Sequence, residues 1–247
     1  SMSVQTLVST ELTGKLIHGA ILQSAGGYDS GLNRDRTLAE AEVIGEKFIQ
    51  ACGVSSLAGL RALSTEDILA AAGAIVAEAF QSGGVTALPF TPTIDGCLLQ
   101  AGYNDIIDGG AHKDIPYMIG STQNDIGVDP EKLAAGDKGR LHRGCVNWSL
   151  KNEALGRGPA FVYYFSRRLP GDDQGAFHSA ELWYMFGTLD RCWRPWQPCD
   201  RELSDRMLDY WTNFVRQGDP NGDHLPLWIP CTAANAHVKI LDCPGDC

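Results

Sequence analysis

The spacing of apolar residues changes several times along the chain, and each change marks an element. Ala20-Ile21-Leu22 is a short apolar run bounded by Gly19 and by Gly26-Gly27, the pattern of a buried parallel strand that ends in a turn. From Thr37 the period lengthens. Thr37 and Glu40 form a capping box, and Leu38, Ala41, Ile44, Phe48 and Cys52 keep helical spacing until Gly53 ends the helix. Ser64, with Asp67 three positions on, opens an Ala-rich helix that runs through Ile68, Ile75 and Phe80 to Gly83-Gly84. Ile115 to Ser121 and Ala160 to Phe165 return to compact, strand-like runs, the second rich in aromatic residues. From Asp200 the residues Leu203, Met207, Tyr210, Trp211, Phe214 and Val215 share one helical face, with Gly218 just past its end. Asp219-Pro220-Asn221-Gly222 is then a turn, and Val238 to Leu241 a closing strand. Strands alternating with helices predict an α/β fold with a mostly parallel sheet and a helical excursion over about 33–85.

Composition narrows the function classes. With 44% hydrophobic and 20% charged residues the chain has the make-up of an ordinary globular protein, and 247 residues could hold one large or two small domains. The net charge of −10 and the scattered Lys and Arg residues argue against a nucleic-acid partner, which needs a basic face. No apolar stretch approaches the ~20 residues of a membrane span, so no membrane partner is expected. The eight cysteines are irregularly spaced and make no C-x-x-C motif. Cys243 and Cys247 lie close together, but a zinc site needs two more ligands and no His-x-x-x-His pair supplies them. Neither a metal nor another cofactor is expected.

Candidate chemistry gathers at two strand ends. The strand over 115–121 leads into Ser121-Thr122-Gln123-Asn124-Asp125, polar groups at the carboxyl end of a parallel strand, where open α/β sheets bind their ligands. The loop after Phe165 delivers His178 in the run Gly175-Ala176-Phe177-His178-Ser179-Ala180-Glu181-Leu182, followed by Tyr184-Met185-Phe186-Gly187. That run resembles the segment carrying the catalytic His in type B carboxylesterases, the family of the cholinesterases and para-nitrobenzyl esterases. Other stretches resemble the same family in the same order. His18 to Ser24 matches H-x-A-I-x-Q-S, and Pro89 to Gly96 is similar to P-F-x-P-x-I-D-G. Trp211, Phe214, Gly218, Pro220 and Asn221 match its W-x-x-F-x-x-x-G-x-P-N ending.

The resemblance spans nearly the whole chain and implies the C-terminal part of an α/β-hydrolase fold. It also implies a parent protein that hydrolyses carboxylic esters through a serine acyl-enzyme, with a small-molecule ester as substrate. In such a triad the chain order is Ser, acid, His. Asp125 precedes His178 and falls at the acid position of the family segment G-x-x-x-D-E-G, here Asn124-Asp125-Ile126-Gly127; the shifted spacing leaves Asp129 as a second candidate acid. Trp183, Trp193 and Trp196 either line a substrate pocket or pack in the core. The cysteine positions do not match the disulfides of secreted family members, which favours a reducing, bacterial-type cytoplasm.

The resemblance also marks what is expected elsewhere. Residues 1–10 read like the helix that follows the family's G-x-S-x-G elbow, so the chain is expected to begin just after the nucleophile and to have the N-terminal half of the same protein as its partner. Gln23-Ser24-Ala25-Gly26 imitates an elbow, but Leu22 stands where the first Gly belongs, and a branched side chain there opposes the strained turn. Ser24 is therefore expected to be a structural residue in the strand layer, away from the acid and the His. The oxyanion loop H-G-G-G is also missing, and losing one such donor costs about 2.7–4 kcal/mol. The chain by itself is expected to be silent toward esters. A catalytically silent, cholinesterase-like interaction domain is the alternative reading.

Overall fold

The computed structural model describes residues 2–33, 35–83 and 88–244; Ser1, Gly84 and Cys247, used in the sequence reading, lie outside them. The chain opens with α1 (Met2–Val8) and β1 (Ala20–Gln23), followed by β2 (Arg36–Thr37), α2 (Leu38–Ala51), α3 (Leu57–Arg61), α4 (Thr65–Gly83) and β3 (Thr93–Ile94). Next come α5 (Tyr103–Asp108), β4 (Tyr117–Thr122), α6 (Pro130–Ala134), α7 (Gly139–Ala154) and β5 (Phe161–Phe165). The chain closes with α8 (Leu182–Met185), α9 (Pro198–Gln217) and β6 (Lys239–Leu241). These elements form two compact units, Ser1–Leu32 with Ile106–Cys247, and Asn33–Asp105.

In the first unit a four-stranded sheet has the order β1-β4-β5-β6, with every pair parallel. All residues of β4 and β5 are buried, which explains why these strands read as continuous apolar runs and not as alternating ones: both faces are covered. On one face Met118, Phe161, Tyr163 and Phe165 pack with Tyr184, Leu203, Met207, Tyr210, Trp211, Phe214 and Trp228. On the other, Leu22, Tyr117, Ile119 and Val162 pack with Val8, Cys145 and Trp148. Gly120 pairs with Tyr163, and a Cβ at Gly120 would stand 2.3 Å from the Tyr163 ring, so glycine is required for that ring to lie against the sheet. The ladder of β4 starts at Tyr117 and not at Ile115, because Pro116 lacks an N–H; its carbonyl still accepts from Ala20 at 3.0 Å.

α9 carries the predicted apolar face, with Leu203, Met207, Tyr210, Trp211 and Phe214 buried, and ends at Gly218 in the left-handed conformation, φ 74°. α7 was not evident from the pattern. Its buried positions are Leu141, Gly144, Cys145, Trp148, Ser149 and Asn152, which have helical spacing but mostly small or polar side chains. Those small residues allow close approach. A Cβ at Gly144 would stand 2.4 Å from the Gly26 carbonyl oxygen, and one at Gly27 the same distance from that of Gly144, so α7 touches the turn after β1 backbone to backbone.

In the second unit the predicted capping box of α2 is present, with Thr37 and Glu40 satisfying each other. Ser64 accepts from the Asp67 N–H at 3.1 Å and begins α4 as expected. Neither helix has a buried residue. Between them runs an open groove of about 580 Å³, lined by Ile44, Ala51, Ile75, Ala79 and Pro89, with Lys47 and Glu78 among its polar residues. The apolar stripes are thus only partly covered. Phe48 meets Phe90 edge-on at 5.6 Å between ring centroids.

The glycine contacts set opposite signs for two helical substitutions. Gly45 in α2 has open space around its Cβ position, so Gly45→Ala should stabilise by about 1 kcal/mol through helix propensity. Gly144→Ala gains the same propensity but drives a methyl into the Gly26 carbonyl and Ser30, and overpacking of about 1–3 kcal/mol should prevail. Chemical denaturation of the two variants checks the prediction.

Candidate active site

The carboxyl end of β4 is fastened to the loop that follows β5. The Gln123 N–H donates to the Phe165 carbonyl at 2.9 Å and extends the ladder. Asn124 then bonds the neighbouring loop twice: its N–H donates to the Ala176 carbonyl at 2.9 Å, and its Oδ1 accepts from the Ala176 N–H at 2.9 Å. Asn124 and Phe177 form an isolated parallel bridge. Gly175 sits at φ 69°, and a Cβ there would stand 2.3 Å from Asn124 Oδ1, so the approach depends on glycine. The residue before Asp125 is thereby clipped to the segment just before His178.

Asp125 and His178 meet, as the sequence resemblance implied. His178 Nδ1 lies 2.7 Å from Asp125 Oδ1. The Asp125 carboxylate is buried and accepts three further bonds, from the Thr122 N–H (3.0 Å), the Ile126 N–H (2.8 Å) and the Ser24 hydroxyl (2.6 Å). Burial pushes its pKa up, but the bonds from His178, Ser24, Thr122 and Ile126 outweigh that and hold it below the usual carboxylate value. The hydrogen bond to Asp125 raises the His178 pKa against the opposing effect of burial. The imidazole remains 39% exposed, and among the described residues nothing bonds Nε2.

Two expectations need correction. Ser24 does not lie away from the pair: it donates directly to Asp125. Parallel register is the cause, since Gln23 pairs with Gly120 and the Ser24 N–H donates to the Gly120 carbonyl at 2.8 Å, which brings the ends of β1 and β4 together. Ser24 itself has φ 49°, left-handed for an L residue. Its hydroxyl meets the carboxylate, whereas a nucleophile must meet Nε2. Asp129, the second candidate acid, is instead the N-cap of α6 and accepts from the Glu131 and Lys132 N–H groups.

Sequence reasoning passed over Glu181. It lies three positions after His178 and is 1% exposed. Its Oε1 accepts from Gln23 Nε2 at 3.1 Å and from the Tyr163 hydroxyl at 3.5 Å, while Oε2 has no partner among the described residues. Burial raises its pKa. The spacing His-x-x-Glu at the start of a helical pattern was the available signal.

A family model described as the carboxylesterase family matches residues 1–140 and 141–244. The chain belongs to the carboxylesterase family. Bile salt-activated lipase of Mus musculus is 41% identical over 66 residues, a stretch that is 26% of this chain and 11% of that protein. Carboxylesterase 5A of Felis catus is 44% identical over 66 residues, 27% of this chain and 11% of that one. Among solved structures, a thermophilic PNB esterase has a TM-score of 0.79 at 21% identity and covers 98% of this chain and 57% of its own. The Geobacillus stearothermophilus carboxylesterase EST55 has a TM-score of 0.72 at 22% identity, with the same coverage. The chain therefore spans little more than half of these solved esterases, and the fold is that of an α/β-hydrolase.

In this member of the carboxylesterase family the residues that follow His178 are aromatic and charged. Trp183 lies between Phe177 and Trp196, and the Trp196 indole donates to the Leu189 carbonyl at 2.7 Å, whereas Trp193 is exposed. Tyr184 on α8 donates to Asp200 at 2.7 Å, and Arg167 pairs with the same carboxylate at 2.8 Å. α8, the helix just after His178, is thus tied through Tyr184 to a buried carboxylate that is itself paired with Arg167. Among the described residues, no helix is long and apolar enough to cross a membrane.

The Asn124 clip predicts a measurable effect on the imidazole. Asn124→Ala should lower the His178 pKa toward its ordinary 6.5, and Asp125→Asn should lower it further, because the first loosens the carboxylate and the second removes its charge. Histidine titration by NMR checks both. The pair should also shape stability with pH. The raised His178 pKa stabilises fully below 6.5 and that contribution is lost as pH rises through its folded value. The lowered Asp125 pKa stabilises above 3.8 and that contribution is lost as pH falls through its folded value. Denaturation should show a shallow maximum between those values that His178→Ala abolishes, shallow because the half-exposed imidazole is screened by solvent.

Proposed function

We propose that this chain supplies the base and the acid of a serine esterase, and that the whole protein hydrolyses carboxylic esters through an acyl-enzyme. The observation that carries this reading is the 2.7 Å contact between His178 Nδ1 and the buried Asp125 carboxylate, with Nε2 bonded to none of the described residues. Asp125 fixes the tautomer that bears its proton on Nδ1 and stabilises the imidazolium as it forms. Nε2 takes the serine proton as the hydroxyl attacks the ester carbonyl, then delivers it to the departing alcohol. In the second half-reaction it takes a proton from water, which attacks the acyl-enzyme and frees the acid. Ser24, on the far side of the carboxylate from the imidazole, is a positioning residue that keeps Asp125 ionised.

In this reading residues 1–247 are the C-terminal portion of a single α/β-hydrolase domain, with 33–85 a cap-like excursion. The nucleophile and the oxyanion donors come from the N-terminal half of the same protein. Support for that partner comes from the sheet, where β1 is an edge strand whose Ala20 and Leu22 are already buried, so a further parallel strand can pair beside it. The substrate class rests on the family and on relatives named as carboxylesterases and lipases.

Hydrolysis of p-nitrophenyl esters and labelling by a fluorophosphonate probe test the reading. The chain by itself should show neither, and both should appear when the N-terminal half is supplied. His178→Ala should then lower kcat by about 10⁶-fold, and Asp125→Asn by about 10⁴-fold, since the base remains but in the wrong tautomer. Ser24→Ala should cost about tenfold, because Asp125 keeps its other three donors. An active His178→Ala enzyme, or stoichiometric probe labelling of Ser24, would refute the assignment.

A further inference from the structure

Away from Asp125 and His178, two thiols and a carboxylate converge where the last strand meets α9. The Sγ atoms of Cys199 and Cys243 and a carboxylate oxygen of Asp200 all lie within 4.8 Å of one another. Cys199 is in the first turn of α9 and buried; Cys243 follows β6 by two residues and is half-buried. In sequence the two are far apart, and nothing in their spacing marks them as a pair.

The third member of the cluster argues against a metal. Asp200 Oδ1 already accepts from Arg167 Nε (2.8 Å) and the Tyr184 hydroxyl (2.7 Å), and Oδ2 accepts from Arg167 Nη2 (3.2 Å) and the Gln197 N–H (2.8 Å). With its lone pairs engaged and a guanidinium against it, this carboxylate is no ligand. Two thiols remain, short of the four ligands of a closed zinc site.

We propose that Cys199 and Cys243 form a dithiol site that closes to a disulfide when the chain meets a low-molecular-weight disulfide such as oxidised glutathione. The less buried partner reacts first. The Cys243 thiolate attacks one sulfur of the small disulfide, forming a mixed disulfide and releasing one reduced thiol; the Cys199 thiolate then attacks Cys243 Sγ and displaces the second. Two protein thiols lose two electrons and two protons, and the small disulfide is reduced to two thiols. Closure brings the sulfurs from within 4.8 Å to about 2.05 Å. Burial pushes the Cys243 thiol above its ordinary range, and the neighbouring Cys199 thiol adds to this, so the first step is slow near neutral pH and faster in mild alkali.

The bond would tie the end of β6 to the first turn of α9 and close the chain between them, which restricts the unfolded ensemble. It would also brace the turn that carries Asp200, the carboxylate holding Tyr184 on the helix after His178. The remaining described cysteines, Cys52, Cys97, Cys145, Cys192 and Cys231, belong to no such cluster and serve as internal controls.

The purified chain is equilibrated with graded mixtures of reduced and oxidised glutathione, alkylated, and mapped by peptide mass spectrometry, with thermal unfolding followed in parallel. The expected result is a linked Cys199–Cys243 peptide lacking the mass of two hydrogen atoms, and an unfolding midpoint raised by oxidation and restored by dithiothreitol. Cys199→Ser and Cys243→Ser should each abolish both the link and the shift. The proposal is overturned if both thiols remain open to alkylation in the most oxidising mixture, if Cys243 accumulates only as its glutathione adduct, or if it links to Cys247 instead. None of these readouts depends on ester hydrolysis.

Discussion

An ionised carboxylate buried without donors costs several kcal/mol, and meeting that requirement at Asp125 organises the strand ends around it. Its four donors come from three places in the chain: the end of β1 gives the Ser24 hydroxyl, its own turn gives two backbone N–H groups, and the loop after β5 gives the imidazole. Each donor arrives because an element beneath it is in register. β1 aligns with β4 so that Ser24 falls just past Gly120, and β4 aligns with β5 so that the loop carrying His178 passes Asn124. A slip of either pair would leave the carboxylate short of a donor as well as disturbing the core.

The glycines show how little free space the arrangement has. At Gly120 the sheet admits the Tyr163 ring, whose hydroxyl reaches Glu181; at Gly175 the loop admits the Asn124 amide. In both places an absent side chain lets a polar group from a neighbouring segment reach the site.

Much of this was legible in the sequence, for identifiable reasons. The capping box at Thr37 and Glu40, the stop at Gly218 and the apolar runs of β4 and β5 are local signals, and the structure contains each. Asp125 and His178 emerged from motif resemblance and chain order, and they are in contact. What stayed hidden was of two kinds. α7 has a buried face of Gly144, Cys145, Ser149 and Asn152, which carries almost no hydrophobic contrast from which to read a period. Ser24 beside Asp125, and Cys199 beside Cys243, depend on pairing between segments far apart in the chain, and no local window contains that information.

The sparse packing of α2 and α4 has a consequence for motion. Both helices are capped at their N-termini, yet none of their residues is buried, so their amides are protected by local helix formation and not by a core. Hydrogen exchange there should proceed through fraying and brief local opening, at a free-energy cost far below that of β4 and β5. α2 and α4 are accordingly the helices whose amides should open most readily, whereas β4 and β5, buried on both faces, should open last.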